Sequence, residues 1–146
     1  MCGIAGLIHR GKSSNVGREL TDMLQSLKHR GPDSTGFALY GNPKSGEYVL
    51  RFKVAEQEDM RHGFQIHHQV IERRAEVDRR LDELGVRRIS EDAATEYAFR
   101  YLVSFDGDMK KLADYVEDVE GAEILSIGNA LELVKDLGDA SVVSDQ

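Results

Sequence analysis

Apolar positions recur along this chain at two periods, and the changes between them mark out the elements. Gly3-Ile4-Ala5-Gly6-Leu7-Ile8-His9 is a short continuous apolar run of the kind that predicts a buried strand. Gly11-Lys12-Ser13-Ser14 reads as a loop, and Asn15 as the N-cap of a helix reaching about Lys28. Within that helix Leu20, Met23, Leu24 and Leu27 keep i, i+3, i+4, i+7 spacing and form one stripe. Gly31-Pro32 ends it, because a proline ring disfavours helical backbone in the residue before it. Residues 35–41 and 47–55 read as strands, and Asn42-Pro43-Lys44-Ser45-Gly46 between them predicts a hairpin turn. The order to this point is β-α-β-β.

Further on, Val70, Val77, Leu81 and Leu84 mark the apolar side of a long charged helix that Gly85 ends. Tyr97, Phe99, Tyr101, Val103 and Phe105 alternate at period two and predict a strand. Met109, Leu112, Ala113 and Val116 predict another amphipathic helix, capped by Asp106 or Asp108. Residues 123–127 and 131–135 fit a hairpin around Gly128-Asn129, while 130–137 also fits a helix. No repeat or low-complexity segment interrupts the pattern, and residues 56–138 read as a small α+β unit.

The 146-residue length suits one domain of moderate size, long enough to bury a core. A formal net charge of −7 argues against nucleic-acid binding, since no basic excess is present to neutralise phosphates. The arginines that do cluster, Arg73, Arg74, Arg79, Arg80, Arg87 and Arg88, alternate with Glu72, Glu76, Asp78, Asp82 and Glu83. That alternation predicts a solvated, salt-bridged helix face. A single cysteine excludes an intramolecular disulfide and fits a reducing compartment. No apolar run approaches the ~20 residues that span a bilayer, and Leu7-Ile8 passes at once into His9-Arg10-Gly11-Lys12, unlike a signal peptide. The expected location is the cytoplasm, away from membranes. His62, His67 and His68 lie close together without zinc-ligand spacing and read as solvated, so no metal site is expected. No glycine-rich phosphate loop follows any strand.

The one cysteine is Cys2. Removal of Met1 would place a thiol and a free α-amine on the same residue. The thiolate is the reactive form, and an α-amine with a reference pKa near ~7.7–8.0 takes up its proton close to neutral pH. Cys2 is therefore a candidate nucleophile that carries its own general base. The apolar run behind it is expected to anchor the terminus, and His29-Arg30-Gly31-Pro32-Asp33-Ser34-Thr35-Gly36 supplies a second motif.

Residues 2–9 together with the 29–33 segment resemble the class II glutamine amidotransferases, which are N-terminal-nucleophile hydrolases whose mature chains start Cys-Gly-Ile. The resemblance covers about residues 2–41. From Phe105-Asp106-Gly107-Asp108 through Gly138, the chain is more loosely similar to the insert of the glutamate-synthase-like and N-methylglutamate-synthase-like branch. The fold implied is α+β: an incomplete N-terminal-nucleophile layered sheet with helices in residues 1–55, an α+β insert in 56–138, and the start of the remaining glutaminase domain in 139–146. The reaction implied is glutamine hydrolysis, with ammonia passed to a synthase subunit or domain. FMN and iron-sulfur centres would belong to that synthase, and no cofactor to this chain. Cys2 matches the nucleophile. Arg30, Gly31 and Asp33, with Pro32, match the substrate-site support segment, whose other reading is a surface turn with a flanking ion pair. Gly36 is expected to allow close strand packing.

The family draws its oxyanion donors from an Asn-Gly pair beyond a Gly-His-Thr-Arg segment. It holds the glutamine α-carboxylate and α-amine with that Arg and a later Asp. None of those segments occurs here: Gly41-Asn42 and Gly128-Asn129 have the reverse order. The resemblance is thus to the front part of a glutaminase domain, completed by downstream sequence or by another chain. The 146 residues alone are expected to release little or no ammonia. The other function class that stays open is a catalytically incomplete regulatory or interaction protein, with 56–138 as its binding unit.

Overall fold

The structure, a computed structural model, describes residues 3–11, 15–30, 34–42, 44–61 and 63–145. In chain order these form α1 (Val16–Ser26), β1 (Ser34–Tyr40), β2 (Glu47–Lys53), α2 (Phe64–Glu83), β3 (Arg87–Ala93), β4 (Ala98–Ser104), α3 (Met109–Glu117), β5 (Glu123–Gly128), β6 (Leu131–Leu137) and α4 (Ala140–Val143), with 3₁₀ turns at Lys28–Arg30 and Asp59–Arg61. The class is α+β with antiparallel strand pairing. Two compact units emerge, one made of Met1–Phe37 with Lys135–Gln146 and one of Ala38–Val134.

In the Ala38–Val134 unit, β2-α2-β3-β4-α3-β5 form a four-stranded sheet in the order β3-β4-β2-β5, with every neighbouring pair antiparallel. This is the ferredoxin-like arrangement, in which two β-α-β crossovers interleave. Period-two alternation explains which side the helices cover. Leu50 and Phe52 of β2 and Phe99, Tyr101 and Val103 of β4 are buried with Val70, Val77 and Leu81 of α2 and Leu112 and Val116 of α3. Phe52 meets Tyr101 edge-on at 5.1 Å and Phe99 at 5.4 Å between ring centres. Tyr101 is fully buried and needs partners for its hydroxyl. It accepts from Arg74 Nε at 2.8 Å and donates to Asp78 Oδ1 at 2.9 Å. Asp108 caps α3 by accepting from the backbone N–H groups of Lys110 and Lys111. Gly85 ends α2 at φ +74°, a conformation that favours glycine.

Several expectations are overturned. Residues 3–9 form no strand, and Ile4 and Ile8 are 95% and 93% exposed. An apolar run becomes a strand only where a sheet edge receives its N–H and C=O groups, and among the described residues none runs beside it. The helix from Asn15 ends at Ser26, and Lys28–Arg30 tighten into a 3₁₀ turn instead of continuing it. Asn15 does stand at the N-cap, although its side chain makes no capping bond.

The two predicted hairpins are also absent. β2 has β4 on one edge and β5 on the other, which leaves no edge for β1. β1 instead pairs with β6 in a two-stranded sheet, and both strands run across the boundary between the units. β5 and β6 therefore lie in different sheets, and 131–137 is a strand, not a helix. The chain reverses sharply after β5 at Gly128, where a Cβ would stand 2.3 Å from the Leu131 carbonyl oxygen. The sequence pattern announces no strand at β3: Arg-Arg-Ile-Ser-Glu-Asp-Ala is an edge strand with little apolar content. Gly36 sits at an exposed position of β1.

Candidate active site

The sequence places the candidate chemistry on Cys2 and on the Arg30-Gly31-Pro32-Asp33 segment. Cys2, Gly31, Pro32 and Asp33 lie outside the described residues, as does the side chain of Arg30. The structure describes the residues on either side of the 31–33 segment. It shows how these two flanking arms are held.

On the leading arm, Gln25 near the end of α1 donates from Nε2 to Asp139 Oδ1 at 3.0 Å. Lys28, in the following 3₁₀ turn, reaches Asp139 Oδ2 at 2.6 Å. On the trailing arm, the Thr35 hydroxyl donates to the Gly138 carbonyl at 2.8 Å. One dipeptide step, Gly138-Asp139, thus receives both sides of the segment. Asp139 also N-caps α4, accepting from the backbone N–H of Ser141 at 3.0 Å and of Val142 at 3.3 Å. Hydrogen bonds from Lys28, Ser141 and Gln25 hold its carboxyl well below the usual carboxylate range. α4 buries Ala140 and Val143 and packs against α1, where Leu20, Leu24 and Leu27 are half-buried. On the opposite flank of α1, His9 Nε2 lies 2.7 Å from Glu19 Oε2.

Sequence reading missed Gln25, Lys28, Thr35, Gly138 and Asp139 as a group. The partners sit more than one hundred positions apart, so no local period links them. The signal present was Asp139 ahead of Ala-Ser-Val-Val, an N-cap residue before a short apolar run.

The Ala38–Val134 unit has a cleft of about 390 Å³ whose lining mixes apolar Leu39, Val49 and Leu102 with charged Lys44, Glu47, Arg100 and Glu132. Its charges neutralise one another: Lys44 lies 3.3 Å from Glu47, and Arg100 Nη2 lies 2.8 Å from Glu132 Oε1. His67 and His68 are exposed beside Glu96 and Glu72. Among the described residues, no three His, Cys, Asp or Glu side chains converge to hold a metal ion, and no helix is long and apolar enough to cross a membrane.

Over 151 aligned residues, covering all of this chain and 46% of the relative, it is 26% identical to the Methanothermobacter thermautotrophicus protein named "Putative glutamine amidotransferase". Over 142 residues, covering 94% of this chain and 42% of the relative, it is 29% identical to the Rhizobium meliloti protein named "Glutamine amidotransferase-like protein GlxB". The chain is similar to glutamine amidotransferases. It spans less than half the length of these curated relatives. The alignments run through both compact units and are not confined to the terminal motif. No protein-family profile matches the chain.

Proposed function

We propose that this chain is the front part of a class II glutaminase domain, an N-terminal-nucleophile hydrolase that supplies ammonia to a synthase subunit or domain. The Cys2 thiolate attacks the side-chain amide carbon of glutamine, and the α-amine of Cys2 takes the thiol proton. The tetrahedral oxyanion collapses, the amide nitrogen takes up that proton, and ammonia leaves. Water then hydrolyses the thioester to glutamate and regenerates the thiol. Donors aimed at the oxyanion are worth ~10²–10³ in rate, and the family's Asn-Gly donor segment does not occur in these residues. The 146-residue chain alone therefore turns over little or no glutamine. Arg30, Gly31 and Asp33 support the substrate site from a segment whose arms are tied to Gly138 and Asp139. The ammonia acceptor belongs to the glutamate-synthase-like group, whose FMN and iron-sulfur centres lie outside this chain, and the reaction takes place in the cytoplasm.

The observation that carries this reading is chain-long similarity to proteins named glutamine amidotransferases, in a sequence whose single cysteine stands at position 2. The test uses the gene product as the cell makes it. Intact mass should show Met1 removed, a glutamine-mimicking diazoketone should alkylate Cys2, and Cys2→Ser should abolish ammonia release from glutamine. Retained Met1, or ammonia release that survives Cys2→Ser, refutes the proposal.

A further inference from the structure

β3 is an edge strand, and among the described residues nothing pairs with its outer side. Its sequence, Arg87-Arg88-Ile89-Ser90-Glu91-Asp92-Ala93, is basic in the first half and acidic in the second. Charged edges ordinarily repel a second copy. This order of signs does so in a parallel alignment, where like faces like. In one antiparallel register, however, Arg87 stands opposite Asp92 and Arg88 opposite Glu91.

The faces agree with that register. In the β3–β4 pairing, Arg87 and Asp92 oppose Ser104 and Arg100, on the side away from the helices. Arg88 and Glu91 oppose Val103 and Tyr101, on the helix-covered side. A β-bulge between Arg88 and Ser90 puts each opposed pair on a common face. Residues directly opposite in an antiparallel ladder share a face and interact. Arg87 makes no ion pair among the described residues, and Asp92 is 62% exposed with Arg100 3.8 Å away. Ile89, 41% exposed, would lie beside the two-fold axis, where its counterpart can cover it.

We propose that two copies of this chain pair through β3 about a two-fold axis, joining their four-stranded sheets into one antiparallel eight-stranded sheet. Main-chain hydrogen bonds supply the attraction, and the Arg87–Asp92 pair, formed twice across the axis, selects the register against shifted or parallel alternatives. Arg88 and Glu91 stay in their own chain's network with Asp78, Asp82 and Arg74. The partner is a second copy of this chain, since its own strand is the complement on the page.

Sedimentation of the 146-residue chain should show a reversible monomer–dimer equilibrium that weakens as salt rises. Arg87→Glu and Asp92→Arg are each expected to weaken self-association by about tenfold or more, because each places like charges opposite one another twice in the dimer. Mixing the two variants restores dimers at wild-type affinity, since the new carboxylate at 87 meets the new guanidinium at 92 and the native residues pair on the other side of the axis. Recovery in the mixture also establishes that both variants are folded. A wild-type chain that stays monomeric overturns the proposal. So do single variants that dimerise like wild type, and a mixture that fails to recover.

Discussion

Arg51 and Arg100 stand directly opposite each other in the β2–β4 register, on the sheet face away from the helices. Two like charges so placed destabilise a sheet, and Glu132 is what reconciles them. Its Oε2 accepts from Arg51 Nε at 3.0 Å and from Arg100 Nε at 2.9 Å, and its Oε1 accepts from Arg100 Nη2 at 2.8 Å. The Arg51 side chain is only 7% exposed and Glu132 20%. Glu132→Gln keeps the shape and one accepting oxygen but removes the charge between two guanidinium groups. Breaking a buried pair by deleting one partner typically costs ~3–5 kcal/mol. Arg100 retains access to water, and glutamine retains part of the hydrogen bonding, so about 2–3 kcal/mol is the expected loss. For a unit of this size that is a drop of about 10–15 °C in Tm.

The same interaction carries a pH signature. The hydrogen bonds from Arg100, and then those from Arg51, hold the Glu132 carboxyl below its ordinary value against the opposing effect of burial. The folded state therefore binds fewer protons than the unfolded one, where glutamate titrates near ~4.3. The stabilisation is complete above that pH and is lost as the pH falls through the lower folded value. Urea unfolding of wild type and Glu132→Gln at pH 7 and at pH 3 should show a large gap at the first and a shrunken one at the second. A gap below about 0.5 kcal/mol at pH 7, or one unchanged at pH 3, would refute the bridging role.

Tyr101→Phe removes a fully buried hydroxyl and leaves Arg74 and Asp78 each short of one partner, so urea unfolding should show a loss of about 1–3 kcal/mol. An unchanged midpoint would show that water or side-chain shifts replace the hydroxyl. Asp139→Ala should raise amide hydrogen exchange at Ser141 and Val142 and around Lys28 together, because one carboxylate serves both. In wild type the same loosening should appear only in strong acid, since the lowered Asp139 pKa keeps its contribution intact above the unfolded value near ~3.9. Exchange that rises at one place and not the other would dissolve the shared anchor.

The elements that could be read from sequence were those whose burial is strongly one-sided. The alternation of Tyr97, Phe99, Tyr101 and Val103 and the stripe of Val70, Val77 and Leu81 each put one period of side chains into a core at 6% exposure or less. Where neither side is clearly apolar the pattern is silent, as for β3. Strand partners were harder still. Turn composition at 42–46 and 128–129 marks where the chain reverses, but a hairpin also needs a free neighbouring edge, and β4 and β5 had taken both edges of β2. The 3–9 run shows the converse error: apolar content states what a segment would gain from burial, and says nothing of whether a sheet is there to receive it.

The candidate site divides along the same line. Cys2 and the 29–36 segment stand out in sequence because unusual residues crowd into a few positions, and crowding is a local property. The anchor of the arms on either side of 31–33 is not local. Gln25, Lys28 and Thr35 are tied to Gly138 and Asp139 by bonds that close loops of more than one hundred residues, and the ferredoxin-like unit accounts for most of that span. A long intervening span is thermodynamically tolerable at such a place, because closure entropy grows only as the logarithm of loop length. It is tolerable structurally only if the chain returns to the position from which it left. Capping by Asp139, with the burial of Ala140 and Val143 beside α1, secures that return to the Met1–Phe37 portion of the unit. Residues 138–143 are therefore part of what holds Gln25, Lys28 and Thr35 in place, and substitutions there should loosen those three residues first.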